Sequence, residues 1–180
     1  DTGTIELSSA SHIDTPSPID TAGSVPSGIV FQSPRDQIVA ETLERDTAFG
    51  PENLACSKKQ IQTRTTDCLS LIDLIDRRSE KTASLSLGQK QKLALAGILA
   101  LSPQFLVLDE AVSMVDPDMR LAILDYLDEW QGFNQSRTIV HITHDIDEAL
   151  RATHIIAIDN GTLIFNGTRE QFCNNSNVSG

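Results

Sequence analysis

Two adjacent carboxylates follow a run of apolar residues in the second half of the chain. The segment 105–110 reads FLVLDE, so Asp109 and Glu110 stand where a predicted buried strand ends. In open α/β sheets, ligands bind outside the carboxyl ends of the strands. One carboxylate there can hold a hydrated Mg²⁺, and its neighbour can orient or deprotonate an attacking water. A strand that runs into an acidic turn explains this pair equally well when it is taken alone.

A serine begins the second segment that could do chemistry. The segment 85–92 reads LSLGQKQK, and Ser86 stands at a predicted helix start. Helix N-termini present free N–H groups and the positive end of the helix dipole, which suits phosphate. Ser86 and Gln89 also satisfy an ordinary capping box, and such caps are frequent. Taken alone, the cap is the better interpretation.

One histidine follows a predicted strand directly. His144 lies in the sequence THD at 143–145, just past the strand predicted at 138–142. An imidazole there can contact a phosphate or position a water, although a polar loop residue is the commoner explanation of a lone histidine. The other histidines lack such a context and are predicted to be structural: His12, His141 and His154.

Composition excludes some classes of function. The 180 residues fit one domain with a sizeable core. The formal net charge of −11 argues against a general nucleic-acid binder, which needs a basic face. The longest apolar runs are too short to cross a bilayer. The three cysteines have no metal-like or redox spacing and are predicted to be packing or surface residues: Cys56, Cys68 and Cys173.

The first half of the chain changes from polar to helical patterns. Residues 1–7 read as a turn and a short strand, and residues 8–28 as a flexible exposed loop rich in Ser, Thr, Pro, Asp and Gly. A buried strand is predicted at 28–31 and a short helix at 42–49, stopped by Gly50-Pro51. Ser57 and Gln60 form a capping box before an amphipathic helix. The predicted apolar face of that helix comprises Ile61, Thr65, Cys68, Ile72 and Ile75.

The second half alternates between helix and strand patterns, which implies a largely parallel sheet with helices on both sides. A helix is predicted at 90–101, followed by a strand at 105–108 that is covered on both faces. The next helix runs from an Asp116 N-cap to about Trp130. A strand at 138–142, a helix at 145–150, and hairpin strands at 155–158 and 163–165 around Asn160-Gly161 complete the prediction.

The order and spacing of these segments resemble the ABC ATPase family. Gln32 looks like the Q-loop glutamine of that family, and residues 86–89 look like its signature motif. Asp109-Glu110 resemble its Walker B pair, residues 113–116 its D-loop, and His144 its switch histidine. The resemblance implies an α/β, P-loop NTPase-like (RecA-like) fold with a mostly parallel sheet. It also implies an inserted helical subdomain at 34–85 and a catalytic core portion at 86–167.

A narrower resemblance concerns energy-coupling factor transporters. The segments 30–39 (VFQSPRDQIV), 48–54 (AFGPENL) and 140–145 (VHITHD) look like parts of their ATP-binding subunits. Those subunits power the uptake of vitamins or of cobalt and nickel ions. The resemblance implies a cytoplasmic protein, peripheral on the inner face of the cell membrane. Its implied partners are a second ABC ATPase subunit, identical or paralogous, a transmembrane coupling subunit and a substrate-binding membrane component.

The resemblance also implies roles for single residues, with ATP and Mg²⁺ as cofactors. Glu110 would polarise the attacking water, and His144 would act beside it as the second catalytic residue. Asp109 and Gln32 would assist Mg²⁺. The residues implied in nucleotide binding are Gln32, Ser86, Gly88, Gln89 and Asp116. We expect the paired acids, Ser86 and His144 to share one crevice.

Two departures from the family pattern stand out. No G-x-x-x-x-G-K-[ST] occurs in the 180 residues, although the backbone and Lys of this loop hold the phosphates. We therefore expect the chain to lack the first strand, phosphate loop and first helix, and to bind ATP very weakly by itself. Leu87 replaces the usual signature glycine, which would cost about 1–2 kcal/mol if the position requires a positive φ.

Two other interpretations remain open. One is a non-transport ABC ATPase of DNA repair or chromosome structure, which the short stretch between Gln32 and Ser86 disfavours because such proteins carry long coiled-coil insertions. The other is a non-catalytic or decayed module that supplies its signature motif to a complete partner. Leu87 and the missing loop favour the second interpretation, and the intact Asp109, Glu110 and His144 disfavour it.

Overall fold

Three parallel strands form the centre of the computed structural model, which describes residues 27–132 and 136–174. They are β1 (Ser27–Val30), β2 (Phe105–Asp109) and β3 (Thr138–Ile142), in that spatial order. Val30 pairs with Leu108, and Leu108 pairs with His141. Because the strands are parallel, their carboxyl ends lie at one edge of the sheet. Asp109 ends β2 there, and Gln32, Glu110 and His144 follow the ends of β1, β2 and β3. The predicted α/β fold with a parallel sheet is confirmed.

Helices and a hairpin make up the rest of the described chain. The helices are α1 (Leu43–Asn53), α2 (Lys58–Leu71), α3 (Leu87–Ala100), α4 (Pro117–Gly132), α5 (Ile146–Ala149) and α6 (Arg169–Cys173). Single 3₁₀ turns occupy Pro34–Asp36, Ile75–Arg77 and Thr82–Ser84. Strands β4 (His154–Asp159) and β5 (Thr162–Thr168) form the predicted antiparallel hairpin, with Asn160 and Gly161 at positive φ in its turn.

The start of β1 differs slightly from the prediction. The strand and most of the loop predicted at residues 1–28 lie outside the described residues. Ser27, predicted as a loop residue, already belongs to β1, which starts one residue before the predicted Gly28. A Cβ atom on Gly28 would stand 2.4 Å from the side chain of Ile98, so this glycine lets α3 pack closely on the sheet.

Helix α1 does not stop at Gly50-Pro51, as the sequence predicted, but continues to Asn53. Proline inside a helix removes one hydrogen bond and crowds the preceding turn. Here Pro51 is buried, and Gly50 packs so closely on Leu101 that an added Cβ would lie 2.4 Å from its side chain. Tertiary packing of this turn therefore outweighs the local stop signal.

Both predicted capping boxes are confirmed. The Ser57 hydroxyl accepts from the Gln60 backbone N–H while the Gln60 side chain accepts from the Ser57 N–H, and Ser86 and Gln89 make the same exchange. Helix α3 begins at Leu87, three residues before the predicted Lys90, because its cap fixes the start. Each box satisfies N–H groups that a helix end otherwise leaves unpaired.

One hydrophobic core joins the helical segment to the sheet. Its fully buried side chains include Leu43, Leu69, Ile72, Leu93, Leu95, Leu106, Leu108 and Ile123. The prediction that β2 is covered on both faces is wrong for the described residues. Leu106 and Leu108 are buried, but Val107 on the opposite face is only half-buried, and its neighbours Ile29 and Val140 are 41% and 40% exposed. The alternation shows that the described residues fully cover one face.

The cysteines and the apolar character of the helices were also subjects of prediction. Cys56, Cys68 and Cys173 are all free thiols, and their positions range from buried to exposed. Their expected role as packing or surface residues stays a prediction. Within the part of the chain that the structure describes, no helix combines the length and apolar character that crossing a membrane requires.

Candidate functional site

The side chains of Gln32, Glu110 and His144 meet at the carboxyl-end edge of the parallel sheet. Gln32 Nε2 donates a 2.7 Å hydrogen bond to Glu110 Oε2. The other carboxylate oxygen, Glu110 Oε1, lies 3.3 Å from His144 Nδ1. The His144 side chain is 74% exposed and that of Glu110 is 28% exposed, so the contact between them faces solvent. The structure thus places an amide, a carboxylate and an imidazole around one open point.

Backbone geometry turns Glu110 out of strand β2. Its φ is 48°, in the left-handed region that non-glycine residues enter uncommonly. Its N–H donates to the Ile142 carbonyl at 2.9 Å, which extends the pairing of β2 and β3 by one residue. Its own carbonyl accepts from the Ser113 hydroxyl at 2.8 Å and from the Ser113 N–H at 3.1 Å. Hydrogen bonds to both the N–H and the carbonyl of Glu110 therefore fix the backbone that carries the carboxylate.

Two buried or half-buried glutamines fix the backbone next to Gln32. Gln37 accepts from the Phe31 N–H and donates to the Ile29 carbonyl, both at 2.9 Å, so its amide acts as an additional strand neighbour for β1. Gln91, fully buried on α3, donates to the Phe31 carbonyl at 3.2 Å. The Gln91 Oε1 atom has no hydrogen-bond partner within the described chain. Both polar groups of Phe31 are thus bound by side chains, one six positions and the other 60 positions away in sequence.

The turn that carries His144 is held by its two neighbours. The Thr143 hydroxyl accepts from the Asp145 N–H at 3.0 Å and donates to Glu148 Oε2 at 2.8 Å. Asp145 caps α5, where its carboxylate accepts from the Asp147 and Glu148 N–H groups. The helix predicted at 145–150 is confirmed as Ile146–Ala149 with an Asp145 cap. These contacts fix the backbone on both sides of an otherwise exposed imidazole.

A buried carboxylate stands behind this turn. Glu148 is 6% exposed, and its oxygens lie 3.3 Å from His141 Nε2 and 3.5 Å from Arg120 Nη1. Burial lowers the pKa of His141, and the charges of Glu148 and Asp145 oppose this shift. His141 is thus paired with the buried Glu148, and its structural role stays a prediction. His154 bonds Asn166 across the hairpin, and His12 lies outside the described residues.

Ser86 and its neighbours form a separate feature at the start of α3. A Cβ atom on Gly88 would lie 2.8 Å from the Met114 carbonyl oxygen, so this helix end packs directly on the segment after Glu110. No hydrogen bond or ion pair links Ser86 to Glu110 or His144 within the described residues. The structure therefore brings Glu110 and His144 together, whereas Ser86 lies at the helix end that packs on the segment after Glu110. A crevice shared by the acids, Ser86 and His144 stays a prediction.

The structure removes one objection to Leu87. Leu87 is the first residue of α3. Its φ is not positive, because the described non-glycine residues with positive φ are Ala55, Asp73, Ser102, Glu110 and Asn160. The expected positive-φ penalty at this position is therefore wrong. The remaining difference from glycine is the size of the side chain, because Leu87 is 40% exposed beside Ser86 and Gly88.

Asp116 connects α3 to the start of α4. Its Oδ2 lies 3.0 Å from Lys92 Nζ, and its Oδ1 accepts from the Met119 N–H at 3.1 Å. Pairing with Lys92 lowers the pKa of the Asp116 carboxyl, and the bond from Met119 adds to this shift. The predicted N-cap is confirmed, whereas the nucleotide-binding role of Asp116 stays a prediction.

The sequence pattern characteristic of the family described as ABC transporter matches residues 1–113, more than half of the chain. The chain belongs to the ABC transporter family. Curated relatives agree with this assignment. The energy-coupling factor transporter ATP-binding protein EcfA1 of Lactobacillus johnsonii is 42% identical over 148 residues, 82% of this chain and 52% of that protein. EcfA1 of Staphylococcus aureus (strain USA300) is 40% identical over 149 residues, 83% of this chain and 55% of that protein. The chain spans about half the length of these curated relatives.

Solved structures of ABC proteins share the fold. CbiO1 of Clostridium perfringens, part of the ABC transporter complex CbiONQ, superposes with a TM-score of 0.69 at 29% identity, over 85% of this chain and 61% of that one. A dimeric ATP-binding cassette in a post-hydrolysis state, bound to ADP and Pi, gives a TM-score of 0.71 at 25% identity, over 81% of this chain and 63% of that one. The P-loop NTPase-like fold is therefore shown.

The residues at the end of β2 and after β1 include the kinds of donor that Mg²⁺ uses. No group of three or more metal-binding His, Cys, Asp or Glu side chains is found in the described residues, so a cage made of protein ligands alone is not formed there. Mg²⁺ commonly uses one or two carboxylates and takes its other ligands from phosphate and water. Asp109 at the end of β2 and the amide oxygen of Gln32, whose Nε2 is turned to Glu110, match that donor set.

Sequence reasoning missed several residues that support the site. Gln37 and Gln91 hold Phe31, while Arg120 and Glu148 contact the turn of His144 or its cap. The one available signal for Gln91 was its place in the helix predicted at 90–101, because a polar group that such a helix buries needs a partner. Nothing local in sequence distinguishes the others from surface residues.

Proposed function

We propose that this chain provides the hydrolytic residues of an ATP-binding subunit in an ABC importer of the energy-coupling factor type. The proposal depends most on the contact of Glu110 with both Gln32 and His144 at the ends of parallel strands. It is further supported by family membership and by relatives named EcfA1. Because none of the 180 residues forms a G-x-x-x-x-G-K-[ST] loop, hydrolysis requires a phosphate loop contributed from outside them.

Glu110 is the proposed general base. Its carboxylate is partly exposed and accepts from Gln32 on one oxygen, so its orientation is set before water arrives. The second oxygen lies 3.3 Å from Nδ1 of the exposed His144, and a water can bind beside this contact on its solvent-facing side. A base in this position accepts the proton of water as it attacks the γ-phosphate. His144 is proposed to contact that phosphate and keep the water in line.

Asp109 and the Gln32 amide oxygen are the proposed ligands for Mg²⁺ together with the nucleotide. When bound, Mg²⁺ neutralises negative charge on the phosphate oxygens. Asp109 is placed by β2, and its neighbour Glu110 turns away through its positive φ. This divergence lets two adjacent carboxylates serve the metal and the water separately.

Ser86 and Gly88 are proposed to bind the nucleotide of a partner subunit. In the capping box the Ser86 hydroxyl oxygen accepts from the Gln89 N–H, which leaves its proton free for a phosphate oxygen. The N–H groups of the first turn of α3 point the same way. The cap and phosphate interpretations are therefore compatible. Asp116 and Gln89 would support this surface indirectly, Gln89 through the cap and Asp116 through Lys92.

The helical segment 34–85 is proposed to receive the transmembrane coupling subunit. A mainly apolar groove of about 340 Å³ lies between α1 and α3, lined by Val39, Phe49, Leu54, Ala94, Ile98 and Leu101 among others. Val39 and Phe49 are 60% and 49% exposed, which leaves apolar area for a partner to cover. Such docking would place the chain on the cytoplasmic face of the membrane. Vitamins or cobalt and nickel ions are the proposed cargo of the complex, and a separate membrane component would select among them.

The proposal is tested by measuring ATP binding and hydrolysis with and without partners. We expect the chain alone to bind ATP only weakly, and its complex with a subunit that has a phosphate loop to hydrolyse ATP. Ser86→Ala should lower the activity of the complex about tenfold or more, whereas Ser79→Ala, a change at an exposed serine outside the site, should not. Sub-micromolar ATP binding by the isolated chain, or equal activity of both variants, would refute the proposal.

A further inference from the structure

Arg120 joins two helices beside the site. Its Nη1 atom lies 3.2 Å from Asp145 Oδ2 and 3.5 Å from Glu148 Oε1. Arg120 belongs to α4, whereas Asp145 caps α5 and Glu148 lies within it. Since Glu148 is only 6% exposed, its charge needs a nearby cation or several hydrogen-bond donors. Arg120 supplies the cation.

The two carboxylates that Arg120 contacts hold the residues on either side of His144. Glu148 Oε2 accepts from the Thr143 hydroxyl at 2.8 Å, and Thr143 accepts from the Asp145 N–H. Loss of Arg120 would leave Glu148 with less compensation for its charge. The turn at 143–145 could then shift, and with it the 3.3 Å contact from His144 to Glu110.

The first turn of α4 connects Arg120 to the signature helix. The Arg120 N–H donates to the Asp116 carbonyl at 2.8 Å, and the Asp116 carboxylate pairs with Lys92 on α3. A continuous series of polar contacts therefore runs from α3 through Asp116 and Arg120 to the turn of His144. The same α3 begins at Ser86, which is proposed to bind the nucleotide of the partner.

We propose that Arg120 is a positioning residue. It holds the His144 turn against α4, so that the imidazole faces Glu110 only while α4 keeps its position relative to α3. The proposal rests on the proposed function for its effect on hydrolysis. It does not place Arg120 on the substrate, because its contacts are with Asp145 and Glu148.

A second arginine provides a matched control. Arg151, just after α5, pairs with Asp125 and Asp128 on α4. It ties the same two structural elements and is about as exposed as Arg120, 28% against 30%. Within the described chain it makes no hydrogen bond or ion pair with residues 143–145. A role that is merely structural would affect both arginines alike.

Steady-state ATPase assays of the complex with its phosphate-loop partner distinguish the two arginines. We expect Arg120→Met to lower kcat about tenfold with the KM for ATP unchanged, and Arg120→Lys to restore at least about a third of the wild-type kcat. Arg151→Met should stay within about twofold of wild type. Equal losses in Arg120→Met and Arg151→Met, or no loss in Arg120→Met, would overturn the proposal.

An NMR measurement on the full chain tests the geometry without any activity. The ring resonance of His144, assigned with a His144→Gln variant, should move in Arg120→Met and stay unchanged in Arg151→Met. Identical spectra for both variants would overturn the positioning role. If the wild-type complex hydrolyses no ATP, the proposed function fails, and the His144 resonance still decides the role of Arg120.

Discussion

Gln32 and Glu110 are 78 residues apart in sequence and joined by a 2.7 Å hydrogen bond. The bond spans the ends of two adjacent parallel strands, β1 and β2. It orients the carboxylate and leaves the Gln32 amide oxygen directed elsewhere. The pair links the proposed metal ligand to the proposed general base, so a change in either side chain should affect the other.

Replacing Gln32 with alanine should therefore slow hydrolysis. The variant loses a hydrogen bond to a charged group and a proposed metal ligand, so we expect kcat to fall about tenfold or more in the complex. ATPase rates at saturating ATP and varied Mg²⁺ measure the effect. Gln62→Ala, at an exposed glutamine on α2, is the control and should leave the ATPase rate and its Mg²⁺ dependence unchanged. A wild-type Mg²⁺ dependence in Gln32→Ala would speak against the metal role.

Gly88→Ala and Gly132→Ala should change stability in opposite directions. A Cβ on Gly88 would meet the Met114 carbonyl at 2.8 Å, and backbone must move to relieve that contact, at a cost of about 1–3 kcal/mol. A Cβ on Gly132 meets nothing within 4 Å, so alanine there should gain up to about 1 kcal/mol from helix propensity. Urea unfolding of each variant gives both values. A stabilised Gly88→Ala would show that this contact is not close.

The buried thiol of Cys68 should make stability depend on alkaline pH. Burial raises the pKa of Cys68 to about 12, and the charge of Asp67 adds to the shift. The unfolded thiol ionises near pH 8.5–9 while the folded thiol stays neutral, so the stabilisation is complete below that pH and is lost as pH rises toward 12. By about pH 10 the loss should reach about 1.4 kcal/mol.

Unfolding by urea between about pH 8 and pH 10 measures this dependence. Cys68→Ala lowers stability at every pH because it removes buried atoms, but it should flatten the part of the slope due to this thiol. Cys173→Ala, at an exposed thiol, should keep the wild-type slope. An unchanged slope in Cys68→Ala would contradict the raised pKa.

Local sequence signals predicted much of the fold. Capping boxes at Ser57 and Ser86 fix helix starts through contacts within four residues, and the Asn160-Gly161 turn fixes the hairpin. Strands alternating with helices predicted the parallel sheet. The end of α1 was not predictable in this way, because its course through Pro51 depends on packing against Leu101, far away in sequence.

The site, too, has residues that local sequence signals predicted and contacts that they did not. Asp109, Glu110 and His144 could be selected because each follows an apolar run at a strand end, where parallel topology brings ligands together. The contacts that hold them depend on side-chain geometry instead. Gln37 and Gln91 reach Phe31 across 6 and 60 positions, and no period or spacing in the sequence specifies such a pair. The positive φ of Glu110 is likewise a property of the folded turn.

Glu110→Gln in the complex that supplies a phosphate loop tests the central claim most directly. Glutamine keeps the size and the bond partner of Glu110 but cannot accept the proton of water. We predict that single-turnover ATP hydrolysis falls at least about 100-fold while ATP binding is retained, and that Glu129→Gln, an exposed change on α4, has no effect. Wild-type hydrolysis by Glu110→Gln would contradict the assignment of Glu110 as the base.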